Sequence, residues 1–454
     1  MQTKEAPIKS NMIEAVLKKQ QGDPNAEKVE KELSQTWEGF QRKLELDLEG
    51  TAKETKALQR KREVSSAKDL LRLILFYVTS DWSLRLVGVW ALLTGIGYLS
   101  DVAVLKRLRN SKTWLGRLVV TIMQKRISIL KNLPGVRLRV VDATTISIPG
   151  SRSTDWRVHL SFDLGNLCLD RVEITDKHGG ESLARFEAQS NEILVADGAY
   201  PFASGMAPVL NTGAGLIVRI NWRNVPVLGP DGQRFEIIPW LKTVNTLSEK
   251  LVWMNLPQGW CQFRLVASPI PPEKLEEVRR RTRLRHQTKQ KPLNENTLFA
   301  AGFVLLLTNL PSVTWSGTQI LALYRMRWQI ELCIKRLKSL LNFDFLRAKD
   351  PRVAQTYLLG KLLIAFMIEE MTGCVCFQYP DWFDDLKRPV SIYRMTALFH
   401  DSFRQIIAGS WVSHLLPFLP LMRRYLCDAP RARPQQLAWV RAFIQHISMS
   451  GNFP

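Results

Sequence analysis

Between Val136 and Ile220 the sequence breaks into short, alternating runs rich in β-branched residues, and this texture limits the possible fold more than any other feature. Val136–Ile148, Arg157–Leu164, Leu167–Thr175, Ile193–Ala196 and Leu216–Ile220 read as strands, with a helix expected over Ser182–Ala188. The first three runs follow one another closely enough to form a meander, and the helix then leads into the next strand. From about Val225 to Ser268 the pattern stays strand-like, with turn signals at Gly229–Gly232 and Pro257–Gly259, which points to a β-rich insertion.

A chain of 454 residues, 46% hydrophobic and 23% charged, can bury a substantial core and should form about two to four domains. No window reaches the roughly 18 uninterrupted apolar residues of a membrane span. Leu86–Leu99 and the Pro-broken stretch Val412–Met422 come closest. Met1–Ser10 has charges but no apolar run, so neither a secretory signal nor a membrane partner is expected, and the cytoplasm is the expected location. Cys168, Cys261, Cys333, Cys374, Cys376 and Cys427 are too scattered for a disulfide scaffold or a CxxC zinc pair, and Cys374 and Cys376 read as core.

The formal net charge of +21 attracts polyanions, either nucleic acid or an anionic membrane surface. Residues 1–64 hold 13 basic and 12 acidic side chains and read as a charged, solvated arm. Residues 66–126 hold 10 basic against 3 acidic ones among many Leu, Val and Trp, so here the excess sits on a folded domain. Ser83 can cap a helix running to Leu93, Gly95 and Gly97 interrupt it, and Ser100 can cap a second helix from Asp101 to about Arg109. The spacing is similar to a helix-turn-helix and would put Lys106, Arg107 and Arg109 within reach of DNA phosphates or base edges. An ordinary helical pair with a solvated basic face is the alternative. A second basic run, Arg279, Arg280, Arg281, Arg283, Arg285, Lys289 and Lys291, reads equally as a solvated helix face or a nucleic-acid contact.

In the segment from Tyr324 to Lys338, an advance of about 100° per residue brings Tyr324, Arg327, Glu331, Lys335 and Lys338 onto one helix face. Leu323, Met326, Ile330, Ile334, Leu337 and Leu341 cluster on another face and can pack against a sheet. Taken alone, the polar face could be an i,i+4 salt-bridge ladder from Arg327 through Glu331 to Lys335.

The spacing Y-(2)-R-(3)-E-(6)-K of Tyr324, Arg327, Glu331 and Lys338 resembles the signature of one family of DDE transposases, the insertion sequence four family. Two upstream acids fit the same pattern: Asp142, in the expected strand Val-Val-Asp142-Ala-Thr-Thr, and Asp197, which ends another in Leu-Val-Ala-Asp197-Gly-Ala-Tyr200. The resemblance runs over about residues 66–373. It departs from the family at Gly198, where many members carry a basic residue, and it says nothing of the N-terminal arm.

The resemblance implies an α/β fold with a ribonuclease H-like catalytic core over 131–222 and 300–373, an order of elements the strand and helix pattern shares. A β-rich insertion at 223–299 would interrupt it, with a charged arm (1–64) and a helical DNA-binding domain (65–130) before it and a helical region (374–454) after it. Asp142, Asp197 and Glu331 would converge to hold two Mg²⁺ ions, with Mn²⁺ as a substitute, because hard cations want oxygen ligands. Asp142 would bridge both ions, while Asp197 and Glu331 would each complete one site. Such a pair activates the attacking oxygen of a phosphodiester cleavage and neutralises the leaving one. Tyr324, Arg327, Lys338 and Lys335 would grip phosphates at the transposon end. Trp328 would stack near an extruded base or pack in the core. His159 and His178 read as structural, and Glu181 as a neighbour of the acids or a helix N-terminal acid. The implied activity is cut-and-paste transposition in a bacterium: a homodimer that binds terminal inverted repeats of double-stranded DNA, cuts, and joins the ends to target DNA. Two other readings are a catalytically silent DNA-binding regulator, against which the intact acids argue, and a ribonuclease H-like nuclease without strand transfer.

Overall fold

The computed structural model describes Trp37 and residues 47–131, 135–151, 153–379 and 390–409. The described residues divide into two compact units, one holding residues up to Ser128 with 147–153 and those from Lys335 onward, the other Ile129–Ile146 and Thr154–Ile334.

In the first unit, helices α1 (Leu48–Glu54), α2 (Ala67–Thr79), α3 (Leu84–Leu93) and α4 (Asp101–Asn110) are each started by a side chain that accepts an otherwise unpaired N–H. Ser83 and Ser100 do this for Leu86 and Ala103, as the sequence pattern requires. Between α3 and α4 Gly97 takes a φ of +148°, and a Cβ there would lie 2.6 Å from the Glu63 carbonyl oxygen, so only glycine fits. Residues 94–100 separate the two helices, more than the three or four of an ordinary helix-turn-helix turn. Helix α5 (Lys112–Lys131) follows.

The second unit is built on an eight-stranded mixed sheet in the order β3-β2-β1-β4-β5-β8-β7-β6. Its strands are β1 (Arg137–Ile146), β2 (Trp156–Asp163), β3 (Cys168–Asp176), β4 (Glu192–Ala196), β5 (Gly215–Arg219), β6 (Ser248–Leu256), β7 (Gly259–Pro269) and β8 (Phe303–Thr308). The meander β1-β2-β3 is antiparallel, and β4 and β5 run parallel to β1. The crossover between β4 and β5 carries α6 (Ala203–Asn211). The helix expected over Ser182–Ala188 is instead one 3₁₀ turn, Leu183–Arg185. Side chains supply the hydrogen bonds a longer helix would have made: Arg139 donates to the Glu187 carbonyl at 2.6 Å, and the Gln189 N–H donates to the Glu192 carboxylate at 3.2 Å.

The region read as a β-rich insertion contributes β6 and β7 to the same sheet rather than a separate one. It also carries α7 (Ile237–Leu241), α8 (Pro272–Thr288) and α9 (Glu295–Ala300). Arg137 and Arg139 on β1 are buried with Asp163, Asp170 and Glu192. Arg137 meets all three carboxylates, and Arg139 lies 2.6 Å from Asp170 and 2.7 Å from Glu192. Two guanidinium groups among three acids leave no buried charge alone, which matters because stripping one partner from such a set costs about 3–5 kcal/mol.

Helices α10 (Gly317–Arg325) and α11 (Trp328–Leu341) follow β8, with a Ser316/Gln319 capping box opening α10. The chain then returns to the first unit with α12 (Pro351–Gln378) and α13 (Ile392–Ala408), which share a core with α2 and α4. Leu70, Leu73 and Ile74 of α2, Leu108 of α4, and Leu358, Leu362 and Phe366 of α12 are all fully buried. Cys374 and Cys376 are half-buried on α12 and not part of that core. No helix among the described residues is long and apolar enough to cross a membrane. Most of the stretch expected as an arm over 1–64, residues 380–389, and 410–454 with Val412–Met422 and Cys427, lie outside the described residues.

Candidate active site

Strands β1 and β4 are parallel neighbours paired from Arg137↔Glu192 to Val140↔Val195, a constant offset of 55 residues. The same offset separates Asp142 from Asp197, so the register carries both to one level of adjacent strands and onto the same face. The chain spacing of the two acids is thus the register of the two strands. Asp142 lies within β1 and accepts a hydrogen bond from the Ala143 N–H at 2.8 Å. Asp197 is the first residue past β4, where it accepts from the Ala199 N–H at 2.9 Å and ends the strand in a turn.

Burial pushes the Asp142 carboxyl up to about 6, a rise that the Ala143 N–H and the Arg327 guanidinium oppose and that the charges of Asp197 and Glu181 reinforce. Glu181 is also raised, by burial first, with Asp197 adding to it and Arg157, 3.8 Å away, opposing it. Tyr200 is fully buried with no hydrogen-bond partner for its hydroxyl among the described residues, and its ionisation is pushed up by burial and then by Asp142, Glu181 and Asp197. Three carboxylates and a phenol therefore share one electrostatic neighbourhood.

Glu331 enters from the first turn of α11. The polar face read as one continuous helix is broken at Met326–Arg327. There the N–H groups of Met326, Arg327, Gln329 and Ile330 each donate three residues back, a 3₁₀ tightening between α10 and α11. Residues three apart eclipse in that geometry, and the Arg327 guanidinium carbon sits 5.9 Å from the centre of the Tyr324 ring. Arg327 also donates to Glu331 and lies 3.6 Å from Asp142, so one guanidinium bridges the two acids. Leu323, Met326, Ile330, Leu337 and Leu341 of the expected apolar stripe are buried, with Cys333 beside them and Ile334 half-buried.

Among the described residues no three metal-ligating side chains are drawn together tightly enough to form a cage as they stand. The donor set is nonetheless of the right kind for a hard divalent cation, since every candidate ligand offers oxygen and Arg327 already places positive charge between Asp142 and Glu331.

The remaining expected contacts are dispersed. Trp328 is 53% exposed and so not core, Lys335 is exposed, and Lys338 lies 3.9 Å from Asp344. In the first unit Lys106 is exposed, while Arg107 is half-buried and its guanidinium is held below its usual range by burial. Arg109 does not point freely outward as expected, because it donates to Asp350 at 2.7 Å where that carboxylate caps α12. His159 is buried and bonded to Thr175, and His178 is exposed at a turn. Arg157, which the sequence pattern did not single out, reaches Glu181 and the Gly179 carbonyl. No motif announces it, since a lone cation on a strand usually faces water.

Comparison with known proteins shows the family. Residues 134–367 match the family model described as the transposase DDE domain. The transposase for insertion sequence element IS421 of Escherichia coli is 38% identical over 339 residues, covering 72% of this chain and 90% of the relative. InsL of insertion sequence element IS186A in Escherichia coli (strain K12) is 38% identical over 338 residues, with the same shares covered. The transposase for insertion sequence element IS231F of Bacillus thuringiensis subsp. israelensis is 24% identical over 388 residues, 75% of this chain and 80% of that one. With a ribonuclease H-like α/β core and relatives of this closeness, the chain belongs to the DDE transposases, within the insertion sequence four family.

Proposed function

We propose that this transposase binds the terminal inverted repeats of its element as a homodimer on double-stranded DNA, and that one acid cluster both frees the ends and joins them to target DNA. Asp142, Asp197 and Glu331 are the ligands, for two Mg²⁺ ions that Mn²⁺ can replace. The reading is carried by the shared register of Asp142 and Asp197, with Arg327 linking Asp142 to Glu331. When bound, divalent metal supplies the charge that activates the attacking oxygen and neutralises the leaving one.

The chain's own groups prepare that chemistry. The Ala143 and Ala199 N–H groups fix the orientation of Asp142 and Asp197, so neither carboxylate must be ordered when substrate arrives. The repulsion felt at Asp142 favours a cation there. Arg327 holds Glu331 until DNA enters, then turns to a phosphate, for which its planar fork is suited. Tyr324 supports Arg327, while Lys335 and Lys338, one and two turns beyond Glu331, add point charges along the strand. Trp328, exposed beside them, offers a ring for an unstacked base. Lys106 and Arg107, with Arg109 behind them, form the contact to the repeat. A bacterial cytoplasm is the setting in which such DNA is met.

Asp142→Asn, Asp197→Asn and Glu331→Gln should each reduce Mg²⁺-dependent cutting of a labelled end by at least about 1,000-fold while end binding is kept, because metal ligands are not the phosphate grip. Parallel gel-shift and cleavage measurements check this. Substantial cutting by any one variant removes that residue from the triad.

A further inference from the structure

Strands β7 and β8 are antiparallel neighbours whose last pair is Pro269↔Phe303, and such strands need only a turn of about two to five residues to join them. Residues 270–302 leave the sheet instead. The excursion is closed at its base by the Ile270 N–H donating to the Gly302 carbonyl at 2.7 Å, so the sheet is complete without it. Its main element, α8, buries no side chain along its whole length. One stripe, Leu275, Val278, Arg279, Thr282 and His286, is half-buried, so packing on a core gives α8 only part of its support.

Its own ion pairs give part of its support. Arg279 lies 3.2 Å and Arg283 4.0 Å from Glu276, Arg281 pairs with Glu277, and acids at the start with cations at the end suit the helix dipole. Those pairs occupy Glu276 and Glu277. Arg280, Arg285, Lys289 and Lys291 remain, all exposed and with no carboxylate partner among the described residues. From Arg279 to Lys291 the chain has seven cations and no acid. At about 100° per residue, the five arginines spread over about two thirds of the helix circumference, and the remaining third carries Leu275, Val278, Thr282 and His286, which are half-buried, so the exposed side is largely basic. A helix whose exposed side is basic over so wide an arc fits a partner that presents anionic groups to either side of it. The major groove of a DNA duplex, about 12 Å wide between two phosphate walls, accepts a helix of this diameter.

We infer that α8 is a second duplex-DNA contact, seated in a major groove and neutralising the phosphates on its walls. The contact is separate from the acid cluster. The duplex can be the transposon end or the target, and the two are told apart by experiment.

The full chain carrying Arg280→Gln, Arg285→Gln, Lys289→Gln and Lys291→Gln is titrated, beside the unaltered protein, with an end duplex and with a random-sequence duplex at several salt concentrations. Binding should weaken at least about 10-fold, and the salt dependence should become shallower by about 0.9 in log-log slope for each phosphate no longer neutralised. Weaker binding to the end duplex alone assigns the helix to the end, and weaker binding to both assigns it to any duplex, target included. Either result supports the inference. Arg280→Lys with Arg285→Lys should retain the slope, since lysine also neutralises a phosphate. Lys289→Gln with Lys291→Gln, just past the helix, should give about half the slope change, which keeps the test decisive if the fourfold variant misfolds. Unchanged affinity and slope on both duplexes overturns the inference, and so does a loss confined to anionic vesicles or RNA. Mg²⁺-dependent cutting of preformed end complexes reports on the acid cluster independently.

Discussion

Asp142 sits where a carboxylate is reluctant to ionise, and the sign of that reluctance can be measured. Its folded-state value is pushed up to about 6, chiefly by burial. Between the ordinary carboxylate range and about pH 6 the folded chain holds a proton that the unfolded chain has released, so this stabilising contribution is present at low pH and lost as pH rises through about 6. His159 and His400 act in the opposite sense. Burial lowers both to about 4, so the unfolded chain takes up protons first and their contribution is lost as pH falls from the imidazole range toward about 4. The difference between wild type and Asp142→Asn isolates the carboxylate. Without metal the variant should melt a few degrees above wild type beyond about pH 6, with the gap closing near pH 4. Added Mg²⁺ should raise the wild-type melting temperature above pH 6 and leave the variant almost unmoved. Equal Mg²⁺ shifts in both would take Asp142 out of the ligand set. At this scale the position of Asp142 was legible, because a motif acid on a buried strand has few roles. Its raised ionisation was not, because it comes first from burial by segments distant in sequence, with the charges of Asp197 and Glu181 adding to it.

Elements were legible where one cause dominates and illegible where side chains replace backbone partners. The caps at Ser83 and Ser100 follow from local chemistry and appear as expected. The helix over Ser182–Ala188 stops after one 3₁₀ turn, where Arg139 reaches from β1 to the Glu187 carbonyl and the Gln189 N–H turns to Glu192. Alternation cannot show that Arg137 and Arg139 are buried, since that depends on three acids distant in sequence. The α10–α11 junction shows how far the salt-bridge ladder runs. Arg327 pairs with Glu331 and Asp142, whereas Lys335 has no carboxylate partner among the described residues, so the ladder stops after one rung. Arg327→Ala and Lys338→Ala should each weaken end capture by about 10-fold or more, as expected for removal of a charge-assisted bond worth roughly 1.5–3 kcal/mol. Lys335→Ala should do less and Gln329→Ala almost nothing. Melting curves beside end-binding titrations check the order. Equal thermal losses for Arg327→Ala and Lys335→Ala, with normal capture by Lys338→Ala, would sink the grip.

The helices of residues 65–130 share their core with the chain beyond Pro351, which limits how the molecule can be dissected. Leu108 of α4 gives its carbonyl to the Thr356 hydroxyl at 2.8 Å, Arg109 holds Asp350, Arg126 lies 2.8 Å from Glu369, and the Trp90 indole donates to the Ala408 carbonyl. A chain beginning near Lys131 would lack all four of these bonds and expose Leu358, Leu362, Leu363 and Phe366, now fully buried, as one apolar face. We expect that truncation to aggregate or bind a hydrophobic dye, so any loss of repeat preference in it would report misfolding rather than recognition. A soluble, monodisperse truncation with a cooperative melt would contradict the shared core. Recognition is better tested in the full chain with Lys106→Ala, whose side chain is exposed, together with Arg107→Ala. Lys106→Ala alone should leave the melting temperature within about 1 °C, as surface substitutions usually do. The pair should lower the ratio of terminal-repeat to random-duplex affinity by about 10-fold if these cations reach base edges, and should weaken both duplexes equally if they touch only phosphates. An unchanged ratio and unchanged affinities would clear α4 of any DNA contact and leave repeat recognition to another surface.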